Sequence, residues 1–326
     1  MSSGNGHPRI PVDVLEAQFR PIGEPLARVP RRPLWPALLL FLATLISTLT
    51  VGSEFALSYA QNREPFSGPQ GLFSMMFNAV SHPAILALGI PFSFTLLTIL
   101  LAHELGHYFA CKIYGIDVSY PYFIPAPTLF GTFGAFIRIR SPITTRRALF
   151  DVGLAGPVIG FILAAPAIAW GVALSKIVPG VEQNAPILFG VPPLMRFCVF
   201  IFHPHINPEW LLLNPVGRAA WVGLFVTGLN LLPVWQLDGG HIVYSLASKY
   251  HRRISIAVAL GLLLMGKYAW PGWYVWGGLL LVLALRFRHP PVFDQWDSLD
   301  ATRRLWAVVA LLMFILCFTP WPAIGQ

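Results

Sequence analysis

His103, Glu104 and His107 are the residues whose types and spacing most directly suggest chemistry. They stand in the run His103-Glu104-Leu105-Gly106-His107, inside an apolar stretch from about Ile90 to Tyr114. That stretch is long enough to cross a bilayer, which takes about 20 residues of helix. On a helix, side chains four residues apart lie one turn apart on the same face, with Glu104 on its flank. This is the H-E-x-x-H pattern, in which two histidines bind zinc and the glutamate is the general base of a metalloprotease. A lone histidine on an apolar face is usually a hydrogen-bonded core residue. Two at helical spacing beside a glutamate, in a span whose one other charge is Lys112 at its end, point instead to function, because ionisable groups in hydrocarbon are costly.

A catalytic zinc normally takes three protein ligands and keeps one position open. Asp238 is the best third candidate. It lies in the apolar stretch Leu231-Leu232-Pro233-Val234-Trp235-Gln236-Leu237 and is followed by Gly239 and Gly240, which permit close backbone approach or a break in a helix. Alone, Asp-Gly-Gly is a turn signal; beside His103 and His107 the turn becomes secondary. His241 is a candidate partner that would support a ligand from behind, or an anchor for the short helix expected over Ile242–Ser248, with the structural role favoured. His203 and His205 lie in a Pro-rich loop without a converging ligand set and read as surface residues. Asp151 reads as interfacial. Cys111, Cys198 and Cys317 are far apart, form no C-x-x-C and read as buried hydrophobes.

The elements that must position these residues are membrane helices. Of 326 residues, 56% are hydrophobic and 11% charged, against about 25% charged in soluble domains. The expected architecture is an all-α polytopic membrane protein of about six to seven transmembrane helices. Spans are expected at Leu34 to about Gly52, Ile90–Tyr114, Ala148–Lys176, Leu212 to about Val234, a helical pair over Ile254–Lys267 and Trp273–Leu285, and Leu305–Pro320. The third holds Gly153, Gly156, Pro157 and Gly160, a small-residue pattern that lets a neighbouring helix approach closely. Residues 53–85 and 177–211 read as exoplasmic loops, with Leu72–Val80 a candidate interfacial stretch. Residues 1–33 read as a flexible basic cytoplasmic arm, not a signal peptide; residues 34–326 read as a single membrane-embedded domain with its core at 86–245.

Between the second and third spans, Pro121, Pro125 and Pro127 prevent a regular helix. In the run Phe130 to Arg140, Phe133, Ala135, Ile137 and Ile139 alternate with Thr132, Gly134, Phe136, Arg138 and Arg140, which reads as strand. A membrane-associated β-hairpin is therefore expected there, either to hold an extended substrate by edge pairing or simply to pack the loop. Of the 22 Lys and Arg residues, 17 fall in the segments this topology makes cytoplasmic, as the positive-inside rule requires. The net charge of +8 is thus a topology signal and does not suggest nucleic acid.

With His103–His107 and the run Asn230-Leu231-Leu232-Pro233-Val234-Trp235-Gln236-Leu237-Asp238-Gly239 in place, the sequence resembles the site-2 protease family of intramembrane zinc metalloproteases (M50). Its signatures are H-E-x-x-H and N-x-x-P-x-x-x-L-D-G, both in membrane segments. The Gly-rich third span and the Gly-Thr-Phe-Gly-Ala-Phe-Ile run extend the resemblance over about residues 86–245. It implies that His103, His107 and Asp238 bind one Zn2+ per chain and that Glu104 is the catalytic base. It further implies that Asn230 and Pro233 engage substrate or stabilise the oxyanion, and that the 130–140 segment is a hairpin contacting substrate. Residues 177–211 are too few for the PDZ domain of many bacterial members, so the chain resembles the compact branch without one, similar to plastid-type members.

The function expected is hydrolysis of a peptide bond in or near a transmembrane segment of membrane-protein substrates, within the lipid bilayer. The alternative is a proteolytically silent homologue that binds membrane proteins, against which the intact Glu104 speaks. A metal transporter would require more carboxylates or histidines in other spans. A metalloprotease with a glutamate as third ligand would require a glutamate in the later spans, and there is none. The expected location is a bacterial inner membrane, multi-pass, with a cytoplasmic N-terminus.

Overall fold

The helix that carries the histidines is α4, Ile90–Ile113, with Pro91 in its first turn, where a missing N–H costs nothing. Gly115, at φ +66°, ends it in the left-handed conformation that glycine adopts without strain. Its buried residues Phe92, Leu96, Ile99, His103, His107 and Ala110 recur every three or four positions. The two histidines therefore continue the apolar stripe that packs the upstream half of the helix. The computed structural model describes residues 33–67, 72–293 and 298–325, so the arm expected over 1–33 lies, apart from Pro33, outside the described residues.

Trp35–Gln326 form one compact unit. Helix α1 (Trp35–Ala60) is followed by two short helices, α2 (Leu72–Ser81) and α3 (Pro83–Ala87), and then by α4. Strands β1 (Tyr122–Pro125) and β2 (Thr132–Phe136) pair antiparallel and lead into α5 (Arg146–Ala173). Thr145 caps α5 by accepting from the Ala148 N–H. After β3 (Lys176–Ile177), β4 (Ile187–Phe189), α6 (Pro193–Phe202) and β5 (Leu211–Leu212) comes α7 (Pro215–Asn230). It starts at Pro215, behind an Asn214 side chain that accepts from the Gly217 N–H. The chain breaks over residues 231–237, and α8 (Asp238–Ala247) starts at the candidate ligand. Helices α9 (His251–Tyr268) and α10 (Gly272–Arg286) pack as a pair, followed by α11 (Ala301–Cys317) and β6 (Ala323–Gly325). β3 pairs with β5 and β6 with β4.

Helix α4 sits among α1, α5 and α7, and α8 packs on α5. The core runs through Phe55, Phe92, Leu96, Ile168, Trp221 and Leu224. The α4–α5 contact is backbone to backbone: a Cβ on Gly106 would stand 2.6 Å from the Ala155 carbonyl oxygen. The small residues expected to serve helix approach do so, and they also face the histidines.

The architecture is mostly helical, and it differs from expectation in detail. Among the described residues three helices are long and apolar enough to cross a membrane: Trp35–Ala60, Ile90–Ile113 and Arg146–Ala173. The remaining segments of the expected six to seven spans are shorter or more charged: α7 has 16 residues, α10 has 15 and α11 has 17. Helix α7 ends early because Pro233 and the turn after it take the chain out of helical conformation. The first span is longer than expected, and Leu72–Val80 is helical within α2. The strand over 130–140 is regular only at Thr132–Phe136, but the ladder continues. Val118 bridges Ile139, and the Arg140 N–H donates to the Asp117 carbonyl at 2.9 Å. His203 is half-buried rather than a free surface residue, with a ring nitrogen 2.9 Å from the Val172 carbonyl. Asp151 accepts from the Tyr114 hydroxyl at 2.5 Å and from Arg303 at 2.6 and 2.9 Å, which fastens the start of α11 to α4 and α5. All three cysteines are buried and free.

The start of α7 is held by a buried ion pair. Arg218 donates to Glu64 at 2.6 Å, with side-chain exposures of 7% and 6%, and its guanidinium lies over the Phe189 ring. Removing one partner strands the other charge, at a cost of roughly 3–5 kcal/mol. Glu64→Ala is therefore expected to lower the thermal unfolding midpoint in detergent sharply. Glu64→Leu combined with Arg218→Met is expected to recover a large part of the loss.

Candidate active site

Three elements bring the predicted ligands together. His103 and His107 come from adjacent turns of α4, and Asp238 from the first position of α8. Helix α8 reaches them because its glycines let it lie directly on the chain that precedes it. A Cβ on Gly239 would meet the Leu231 carbonyl oxygen at 2.1 Å, and one on Gly240 the Trp235 carbonyl oxygen at 2.4 Å. Helix α5 forms the floor. A Cβ on Gly156 would fall 2.1 Å from His107 Nε2, and one on Gly160 would fall 3.0 Å from His103 Nδ1. The imidazoles occupy the space that side chains on α5 would otherwise fill.

The ligand atoms converge. His103 Nε2 lies 3.1 Å from Asp238 Oδ2, His107 Nε2 lies 3.3 Å from Asp238 Oδ1, and the two Nε2 atoms are 3.2 Å apart. His107 Nδ1 donates to the Val152 carbonyl at 2.7 Å, which fixes the tautomer and turns the Nε2 lone pair toward the other two groups. Lone pairs this close repel unless a proton or a cation stands between them. A tetrahedral ion with bonds of about 2.0–2.1 Å has ligand atoms about 3.3 Å apart, so both the donor set and its spacing fit zinc. The His107–Val152 bond is the outer support that such ligands normally have.

Glu104 is buried, at 6% exposure, on the flank of this face. It lines a cavity of about 210 Å³ together with His103, His107, Asp238 and Asn230. The backbone N–H of Ile137, just past β2, lies on the carboxylate's side of the cavity. Asn230 Nδ2 lies 3.3 Å from His103 Nε2, so its amide is at the group. Pro233 lies in the turn between α7 and α8 and is not among the residues lining the cavity. His241 does line it, but its hydrogen bond goes to His289 at 2.9 Å rather than to a ligand. His203 and His205 do not join the group. Among the described residues, His103, His107 and Asp238 are the one set of three side chains placed to hold a metal.

Ala135, Phe136 and Ile137 form one wall of the cavity. Their strand is paired on one edge with the 117–125 segment, and among the described residues the other edge has no partner. Phe133 on this strand is 72% exposed. Four contributors were not foreseeable from residue types: the Val152 carbonyl, the Ile137 amide, Gln236 and His289. The first two are backbone groups, which carry no side-chain signature. The other two lie outside any ligand spacing.

Comparison with known proteins agrees with this geometry. The chloroplastic protein named probable zinc metalloprotease EGY1 from Arabidopsis thaliana is 30% identical over 312 residues, covering 87% of this chain and 54% of that protein. Its namesake from Oryza sativa subsp. japonica is 27% identical, covering 89% of this chain and 51% of that protein. Probable zinc metalloprotease EGY2 from Arabidopsis thaliana is 30% identical over 54% of this chain and 32% of that protein. The chain thus spans about half the length, or less, of these relatives. They are named as chloroplastic, which gives no support to the expected bacterial inner membrane; the apolar helices support a membrane protein. Residues 91–266, which contain both histidines, Glu104 and Asp238, match the model of peptidase family M50, and the chain belongs to that family.

Proposed function

We propose that this chain is an intramembrane zinc endopeptidase that hydrolyses a peptide bond in or near a transmembrane segment of membrane-protein substrates. The observation that carries the proposal is the shared cavity. Glu104 and the His103, His107 and Asp238 group face the same space, and one wall of that space is a strand whose second edge has no strand partner among the described residues. A general base, a metal-binding group and a site for an extended peptide are the three parts that peptide hydrolysis requires.

His103, His107 and Asp238 would hold the zinc. When bound, zinc supplies Lewis acidity, polarising a carbonyl and acidifying water. Glu104 takes the proton from the attacking water and returns it to the leaving amine. Its buried position on the cavity wall places the carboxylate beside the metal-binding group for both transfers. Asn230 Nδ2 is positioned to donate to the developing oxyanion. Pro233 acts indirectly, by ending α7 so that Asn230 and Asp238 both face the cavity.

The substrate must unwind, because a transmembrane helix hides its peptide groups in its own hydrogen bonds. The free edge of the 132–140 strand offers replacement bonds. The Lys and Arg distribution supports placing residues 112–147 and 249–253 on one side of the membrane, which puts the cavity nearer that side and gives water a route in. Membrane-protein substrates and the surrounding bilayer are the partners this arrangement fits.

Cleavage of single-span reporter proteins in reconstituted membranes tests the proposal. Glu104→Gln is expected to lower the rate roughly 10²–10⁴-fold while keeping one zinc per chain, and a zinc chelator is expected to abolish cleavage reversibly. Stoichiometric zinc without Glu104-dependent cleavage would shift the weight to a silent binder of membrane proteins. A second test addresses the floor of the site. Gly156→Ala places a Cβ where His107 Nε2 stands, so zinc affinity is expected to fall by roughly 10–100-fold, the range for disturbed outer support of a ligand. Gly261→Ala, where a Cβ would meet nothing within 4 Å, is expected to change neither zinc content nor rate.

A further inference from the structure

The strand over 132–140 cannot by itself satisfy a peptide laid along its free edge. An extended chain pairs alternate residues with one neighbour, and the N–H and C=O groups between them point the opposite way. In a low-dielectric cleft those outward groups are costly to leave bare. Two polar side chains, Gln236 and His241, line both the catalytic cavity and a second cavity of about 440 Å³. The second cavity extends along residues 137–143, the continuation of the strand, and is bounded on another side by Pro290–Val292.

His241 is held in one orientation. His289 Nδ1 donates to the Pro290 carbonyl at 2.8 Å, which leaves His289 Nε2 as an acceptor. His241 Nδ1 donates to that nitrogen at 2.9 Å. With its proton on Nδ1, His241 keeps a lone pair on Nε2, and that atom has no hydrogen bond among the described residues. Tyr244 stacks on the His289 ring with centroids 3.9 Å apart, so the supporting ring is itself fixed. At the other end, α8 is pressed onto α5 where a Cβ on Gly153 would stand 2.8 Å from the His241 Cβ.

We propose that His241 Nε2 accepts a hydrogen bond from a substrate backbone N–H that faces away from the strand. His241 is thus a substrate-binding residue, and His289 is a positioning residue that sets the tautomer allowing it to accept. The ligand is an extended peptide segment. That identification rests on the peptidase proposal, but the hydrogen bond does not depend on the chemistry at Glu104.

The probe is a synthetic single-span peptide of leucine and alanine, about 20 residues long, with an asparagine–glycine break at its centre. In successive versions one amide near the break is replaced by an ester, which deletes one N–H and preserves the extended shape. Binding is measured to the zinc-loaded Glu104→Gln chain in detergent, and cleavage is measured with the unaltered chain. One ester position is expected to weaken binding roughly tenfold, about 1.4 kcal/mol. With His241→Ala or His289→Phe added, the same ester is expected to cost less than about twofold, a coupling that a general structural role would not produce. His289→Phe keeps a ring against Tyr244 and removes the acceptor, together with the ring's own bond to the Pro290 carbonyl. His241→Gln, whose amide oxygen can take the place of Nε2, is expected to restore the ester penalty. An ester penalty that is the same with and without His241, or no binding of the peptide at all, overturns the proposal. If the His241-dependent penalty is found but no cleavage occurs, the hydrogen bond stands and the peptidase proposal falls. Glu104-dependent cleavage with a penalty indifferent to His241 overturns the hydrogen bond and leaves the peptidase proposal standing.

Discussion

The contact between α4 and α5 is the constraint on which the rest of the structure depends. The two helices meet backbone to backbone at Gly106, and Gly156 and Gly160 of α5 face the imidazoles of His107 and His103. This spacing admits the two imidazoles, brings the Val152 carbonyl within 2.7 Å of His107 Nδ1, and leaves room for α8 to bring in Asp238. A wider separation would lose the carbonyl support and the third ligand together. A packing choice that looks generic for membrane helices is here also what shapes the metal group.

A second constraint comes from the medium. Backbone polar groups at membrane depth must find partners, and the two departures from helix that shape the site satisfy part of theirs locally. The 117–125 segment supplies partners to one edge of the 132–140 strand, and the residues after Asn230 turn back through bonds such as Val234 N–H to the Leu232 carbonyl at 2.8 Å. Glycine and proline mark both departures. The broken segment between α7 and α8 is what allows an amide and a carboxylate, eight residues apart in sequence, to face one space. The other broken segment leaves one strand edge without a partner among the described residues, beside Glu104.

The parts of the site that were legible in the sequence are those whose chemistry fixes their spacing. Two histidines four apart beside a glutamate, and an aspartate before two glycines in an apolar run, could be read because each residue type is improbable in such surroundings. The alternation after Phe130 was legible for the same kind of reason, although regular pairing proved shorter than the pattern. Span number was less legible. Hydropathy locates apolar runs, but where a helix ends depends on capping and on prolines such as Pro233, and several runs became helices too short or too charged to cross a membrane by themselves. The Val152 carbonyl, the Ile137 amide and the His289 pairing were invisible, because each arises from tertiary contact between segments with no shared pattern.

The glycine contact has a consequence for traffic through the fold. Two helices whose backbones touch form a sealed wall: no gap between α4 and α5 could admit another helix without first pulling the imidazoles out of the grooves that hold them. That side of the cavity is therefore the one that could open least without disturbing the metal-binding group. On the proposed function, a substrate segment would enter past an element whose displacement leaves the metal group intact. The margin of the hairpin that has no strand partner among the described residues, bordered by the exposed Phe133 ring, is the one that meets this condition.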